Sequence, residues 1–274
     1  MKKILVPTDF STQAANALHT AAQLAQKFNA EIYVLHVLDL PLHLTTTAGD
    51  NYNPPETLFF LKLAKQQFNT FLDKPYLKNL KVFDEIEVGN IYYGIEEAIK
   101  KFNIDFVVMG SSGSSGLQEF LIGSNTEKVV RHIKLPVLVI KNNIENFEIN
   151  NITHACDFAE ESIKSFTKAV NFANTFNAKL HILYVNTPND FKTTREIEAT
   201  IDQFLSEVTP EVYDVTIYND DTVEQGILNF CRSNNTDVIS VSTHGRKGIA
   251  HFFNGSISED LVNHALRPVI AFNI

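Results

Sequence analysis

Phe28-Asn29-Ala30-Glu31-Ile32-Tyr33-Val34-Leu35-His36-Val37 is written a second time, as Phe176-Asn177-Ala178-Lys179-Leu180-His181-Ile182-Leu183-Tyr184-Val185. Five of these ten positions are identical at an offset of 148 residues, counted from Phe28 to Phe176. At the same offset Thr8-Asp9-Phe10-Ser11 meets Cys156-Asp157-Phe158-Ala159. Further on the offset is 132: Gly94-Ile95 meets Gly226-Ile227, Gly123-Ser124 meets Gly255-Ser256, and Pro136-Val137 meets Pro268-Val269. The change from 148 to 132 marks 16 extra residues in the first half, assigned to the Thr-, Asn-, Gly- and Pro-rich stretch from Asp39 to Glu56. An internal repeat of this length is a duplicated domain. The polar run from Asn142 to Glu148 separates domains at 1–142 and 149–274.

Each copy alternates strand and helix signals. Lys3 to Thr8 is a short apolar run closed by Asp9 and Ser11, residues that suit a helix start. Ala14, Leu18, Ala21, Ala25 and Phe28 then recur at helical spacing. The pattern continues as strand over Glu31–Leu38, helix over Pro55–Leu72, strand over Val82–Val88 and helix over Tyr92–Phe102. It closes with strand over Asp105–Met109, helix over Ser124–His132 and strand over Pro136–Ile140. The second copy repeats the order, with Ile163, Phe166, Val170 and Ala173 as the stripe of its first helix. Alternation of this kind predicts βαβ units and a doubly wound, mostly parallel sheet in each half. Ligands of such sheets bind beyond the carboxyl ends of the strands, where strand order reverses.

After the fourth strand comes Gly110-Ser111-Ser112-Gly113-Ser114-Ser115-Gly116, and then Gly123-Ser124 opening a helix. Glycines let backbone amides approach a bulky anion, and a helix N-terminus adds free amides and a positive dipole end. The spacing Gly110, two residues, Gly113, nine residues, Gly123-Ser124 resembles the nucleotide signature of the universal stress protein family, in its ATP-binding branch. The resemblance runs through nearly the whole chain, once per half. It implies two five-stranded sheets of order 3-2-1-4-5, flanked by helices and paired as an intramolecular pseudo-dimer, because single-domain relatives usually dimerise.

The resemblance also implies site residues. Asp9 matches the carboxylate that holds ribose hydroxyls or the adenine edge, with Pro7 and Thr8 beside the base and Val37 reading adenine through its backbone. Met109 and Gly110 are expected near the ribose and first phosphate, and Ser112, Gly113, Gly123, Ser124, Asn125 and Thr126 around the phosphates. In the second half Asp157 and Val185 are retained, as are His244, Gly245, Gly255 and Ser256, whereas Ser242 replaces the first glycine and Ala155-Cys156 replaces Pro7-Thr8. The implied ligand is ATP, with or without Mg2+, and the implied role is a nucleotide-dependent stress-response regulator acting through a signalling partner protein, with at most slow ATP hydrolysis. The competing reading is an interaction or structural module whose pockets are empty or hold another ligand such as a lipid.

Composition narrows the field further. The 274 residues carry 23 Lys and Arg against 32 Asp and Glu, a formal net charge of −9. That balance argues against nucleic-acid partners, which clustered cations recruit. No apolar stretch approaches a membrane span, and Pro7 and Asp9 interrupt the run after Lys2-Lys3, so neither a membrane nor a signal peptide is expected. Two cysteines, Cys156 and Cys231, read as reduced core thiols of a cytoplasmic protein. His132 and His264 fall in last helical turns, where imidazole suits the dipole without any metal. The chain lacks a Gly-Lys-Ser/Thr P-loop, a Gly-x-Gly-x-x-Gly loop, His-Glu-x-x-His and Gly-x-Ser-x-Gly. A homodimer of the tandem chain remains open.

Overall fold

The computed structural model describes residues 1–39, 55–111, 124–208, 214–243 and 265–274. Most of the Asp39–Glu56 insertion lies outside the described residues. Contacts divide the chain into two units, Met1–Val129 with Val139–Phe147, and Val130–Leu138 with Glu148–Ile274. The segment Val130–Leu138 thus goes with the second unit, where the Val130 carbonyl accepts the Thr243 hydroxyl (3.2 Å) and the Arg131 carbonyl accepts the Asn273 amide (2.9 Å).

In the first half the order is β1 (Lys3–Pro7), α1 (Thr12–Phe28), β2 (Glu31–Leu38), α2 (Pro55–Leu72), β3 (Val82–Val88), α3 (Ile91–Phe102), β4 (Phe106–Gly110), α4 (Ser124–His132) and β5 (Val137–Ile140). Its strands lie β3-β2-β1-β4-β5, with β1–β2, β2–β3 and β1–β4 parallel. The second half runs β6 (Asn151–Ala155), α5 (Ile163–Phe176), β7 (Lys179–Asn186), α6 (Thr194–Ser206), β8 (Asp214–Asn219), α7 (Val223–Ser233), β9 (Val238–Thr243) and β10 (Val269–Asn273). Its strands lie β8-β7-β6-β9-β10, again the order 3-2-1-4-5. Register carries the repeat as well: Lys3 faces Glu31 as Asn151 faces Lys179, and Leu5 faces Val107 as Thr153 faces Ile239.

The Phe-Asn-Ala identity that marks the repeat has a backbone cause. Asn29 and Asn177 end α1 and α5 in the left-handed conformation (φ 51° and 55°), and Asn103 ends α3 likewise (φ 53°). Asn is the side chain that tolerates this region best after Gly, so it stops the helix and turns the chain into the next strand. Ala14, Leu18, Ala21 and Ala25 are buried, as their spacing predicts, and small residues let α1 lie close over the sheet. Ile4, Leu5 and Val6 of β1 and Val107 and Val108 of β4 have no exposed surface, as befits central parallel strands. Among the described residues no helix is long and apolar enough to cross a membrane.

Candidate functional site

The chain winds outward from β1 through β2 to β3, then crosses back to place β4 on the other side of β1. Strand order therefore reverses between β1 and β4, and the residues at and after their carboxyl ends, Pro7 to Asp9 and Gly110-Ser111, border the crevice there. Pro7, Met109 and Gly110 stand on these two strand ends, Thr8 follows β1 directly, and Val37 stands near the end of β2 alongside. Ser124, Asn125 and Thr126 form the first turn of α4. Ser112, Gly113 and Gly123 lie outside the described residues, as do His244, Gly245, Gly255 and Ser256 in the second half.

The turn after β1 is built by its own side chains. The Thr8 amide donates to the Leu35 carbonyl (2.8 Å), extending the β1–β2 ladder one residue past the strand. The Phe10 amide donates to the Thr8 hydroxyl (2.9 Å), and the Ser11 amide donates to Asp9 Oδ1 (3.0 Å). Ser11 is the N-cap of α1, its hydroxyl accepting from the Ala14 amide at 3.2 Å. These nested side-chain turns hold Asp9 exposed at the mouth of the crevice while Thr8 is buried below it. Phe10 sits at φ 65°, an outlier for a bulky residue, and its counterpart Phe158 sits at 57°. The strain is held by packing: the Phe10 ring lies 4.5 Å from His36 and edge-on to Phe68 (5.0 Å) and Phe71 (5.5 Å) of α2. His36 Nδ1 lies 2.8 Å from the Thr8 carbonyl, which only accepts, so Nδ1 carries the proton and pins the turn from below.

Gly110 is held from both sides. A Cβ built on it would lie 2.8 Å from the Gln13 carbonyl carbon and 2.9 Å from its oxygen, so only glycine lets β4 end against the first turn of α1. From the other side the buried Thr126 hydroxyl donates to the Gly110 carbonyl at 2.9 Å and ties the N-terminus of α4 to the strand end. Thr126→Val keeps the shape and strands that carbonyl. The expected loss is about 1 kcal/mol in urea unfolding of the full chain, and an unchanged midpoint would show that the bond adds nothing. Val37 is fixed by a second close approach, since a Cβ on Gly94 of α3 would lie 2.9 Å from Val37 Cγ2. Phe10, Gln13 and His36 therefore support the site although their spacing does not announce them. The signal that could have found the first is the identity of Asp9-Phe10 with Asp157-Phe158.

The second half keeps the frame and changes the contacts. The Cys156 amide donates to the Leu183 carbonyl (3.0 Å), as Thr8 does to Leu35. Asp157, like Asp9 and Ser11, is of a type that suits a helix start. Instead, α5 starts later, after a 3-10 turn over Glu160–Ser162, and Asp157 Oδ1 accepts from the Ala159 amide (3.1 Å) and the Ser162 hydroxyl (2.8 Å). Val185 is buried and packed on Gly226, where a Cβ would lie 2.5 Å from Val185 Cγ1. Both cysteines are free and buried, and burial pushes both thiols up, Cys156 the more strongly. They are therefore inert core groups rather than nucleophiles. Among the described residues no three His, Cys, Asp or Glu side chains cluster to hold a metal ion.

Fold and site together define a class: a duplicated, doubly wound α/β protein with a crevice at the β1–β4 switch point of its first copy, edged by a carboxylate, a packed glycine and a helix N-terminus. The chain belongs to the universal stress protein family, whose profile matches residues 1–141 and again 148–273. It is 33% identical over 153 residues to universal stress protein MJ0577 of Methanocaldococcus jannaschii, covering 51% of this chain and 94% of that protein. It is 31% identical over 144 residues to universal stress protein MJ0531 of the same organism, covering 51% of this chain and 82% of that one. Both match one copy of the repeat. A solved universal stress protein from Archaeoglobus fulgidus shares the fold over the whole length, with TM-score 0.66, 21% identity, and 99% and 98% of the two chains covered.

Proposed function

We propose that this protein binds an adenine nucleotide, ATP in the first instance, in the β1–β4 crevice of its first half, and that it acts as a nucleotide-dependent stress-response regulator. The observation that carries this reading is Gly110, packed against the Gln13 backbone with no room for a Cβ, beside the exposed Asp9 carboxylate. Asp9 would accept the ribose hydroxyls, Val37 would meet the adenine edge, and the first turn of α4 would offer amides and the Ser124 hydroxyl to the phosphates. With Mg2+ the nucleotide would bring its own counter-charge, which an acidic chain without a Walker lysine does not supply. Hydrolysis should be slow, far below the ~10 s⁻¹ of a median enzyme, because no described side chain at the crevice is placed as a base for water. The protein would then signal through a partner protein, as a single chain or as a homodimer. Two free, buried cysteines fit action in the cytoplasm.

The test is thermal. At ATP-Mg2+ a hundredfold above its dissociation constant, a native-state ligand adds about 2.7 kcal/mol, on the order of 8 °C in the melting temperature of a unit this size. Asp9→Ala should keep the unliganded melting temperature and lose most of that shift. A purified, folded wild type whose melting temperature ignores ATP, ADP and AMP alike would refute the reading.

A further inference from the structure

The two halves differ most where they should agree, under the first turn of the first helix. Ala14, Ala17 and Gly110 of the first half correspond by offset to Ser162, Ser165 and Ser242 of the second. All three serines are buried, at 1%, 0% and 2% exposure. They are not stray polar groups, because each is hydrogen-bonded, and the bonds meet at Ser162, which uses its carbonyl for one and its hydroxyl for the other. The Ser242 hydroxyl donates to Ser165 Oγ (2.7 Å), the Ser165 hydroxyl donates to the Ser162 carbonyl (2.9 Å), and the Ser162 hydroxyl donates to Asp157 Oδ1 (2.8 Å). Through the Ser162 residue itself, these bonds link the position of the first signature glycine to the position of the ligand carboxylate.

We infer that this serine relay shuts the second half to nucleotide, so that the tandem chain takes one nucleotide, in its first half. The inference rests on the nucleotide reading above and deepens it. Three observations support it. First, Ser242 places a Cβ where Gly110 has none. The helix start opposite is recoiled to make room: Glu160–Ser162 wind as a 3-10 turn, and α5 begins at Ile163, whereas α1 begins at Thr12, the counterpart of Glu160. The loss of that α-helical turn moves the free amides that a helix N-terminus would present. Second, Asp157 Oδ1 already carries two donors, the Ala159 amide and the Ser162 hydroxyl, whereas Asp9 Oδ1 accepts from the Ser11 amide. A nucleotide that took this oxygen would displace the buried Ser162 hydroxyl and leave it unpaired. Third, the rim is stapled. Asn186 at the end of β7 accepts from the Lys192 amide (3.1 Å) and donates to the Lys192 carbonyl (3.2 Å) and Asn219 Oδ1 (3.0 Å). The strand end that would read adenine is thereby tied to the segment leading into α6. The counterparts of Asn186 and Asn219 in the first half are Leu38 and Val88, paired in register but without such a bond.

Native mass spectrometry of the full chain with saturating ATP-Mg2+ counts the bound nucleotides. One per chain is expected, and two would overturn the inference while leaving the nucleotide reading intact. None would overturn both. Asp9→Ala, checked for folding by circular dichroism, should then bind none; retention of one nucleotide would put the occupied site in the second half and overturn the assignment. Ser242→Gly combined with Ser165→Ala and Ser162→Ala restores the first-half residues at all three positions and should admit a second nucleotide. A folded triple variant that stays at one would overturn the role given to the serines.

Discussion

Gly110→Val is expected to destabilise the first unit by about 3 kcal/mol and to remove its response to ATP altogether. The cause is contact, not backbone conformation. A Cβ at residue 110 would stand 2.8 Å and 2.9 Å from the carbonyl carbon and oxygen of Gln13, and 3.0 Å from its Cβ. The first two of these atoms belong to a helix backbone, which cannot turn aside as a flexible side chain would. Either α1 shifts away from β4 or the end of β4 bends, and overpacking of this kind costs about 1–3 kcal/mol, with valine at the upper end because it adds two methyl groups beyond the Cβ. Movement of α1 also breaks the Ser11 cap and the turn that presents Asp9, so ligand binding should fail together with stability. The measurement is urea unfolding with hydrogen exchange on the β1 and β4 amides, which separates the first unit from the second. A loss under about 1 kcal/mol with ATP binding preserved would show that α1 slides freely and that the close approach is incidental.

The second unit shows why this consequence could be read in sequence only by halves. The signature spacing marks Ser242 as a departure, and a Cβ there reads either as crowding the nucleotide or as tolerated by ordinary backbone angles. What it crowds, and how the chain answers, depends on residues far away in sequence. Ser165 and Ser162 lie beside the apolar positions Ile163, Phe166 and Val170 and carry no signal of their own, yet both are buried, and Ser165 accepts from Ser242 and donates to the Ser162 carbonyl. The strands and helices were legible almost to the residue because they depend on local signals, such as the apolar runs of β1, β2 and β4, the Ser11 cap and the repeated Phe-Asn-Ala stop. The strand order came through the family resemblance and not from periodicity, since pattern alone does not say which strands are neighbours. The left-handed Phe10 was not legible at all. Aromatic residues avoid that region, and only the packing of His36, Phe68 and Phe71 around the ring holds it there.

Acid should weaken the second unit through His154, a residue whose strand context gives no hint of exposure or charge. His154 has no exposed surface, its Nδ1 lies 2.8 Å from Ser240 Oγ, its Nε2 has no partner, and the Phe166 ring stands edge-on 5.8 Å away. Burial pushes its pKa down to about 4, partly opposed by its hydrogen bond to Ser240. The unfolded chain takes up that proton near pH ~6.5. Between those values the unfolded state binds more protons than the folded one, so stability rises with pH across the window. The contribution is complete above about pH 6.5 and is lost as pH falls toward 4, roughly 3 kcal/mol in all at ~1.4 kcal/mol per unit. The first half supplies the control, because the counterparts of His154 and Ser240 are Val6 and Val108, both fully buried. His154→Val with Ser240→Val removes both hydrogen-bond partners together, which is close to neutral when the shapes match. At pH 7 the double variant should equal the wild type or exceed it slightly. At pH 4.5 it should be more stable by about 2 kcal/mol, as read from urea unfolding of the second unit by hydrogen exchange on the β6 and β9 amides. The carboxylates titrate in both proteins and cancel in the difference. Parallel pH profiles for wild type and variant would mean that the unit opens to water around His154 before it unfolds, and that the imidazole is not held neutral by the core.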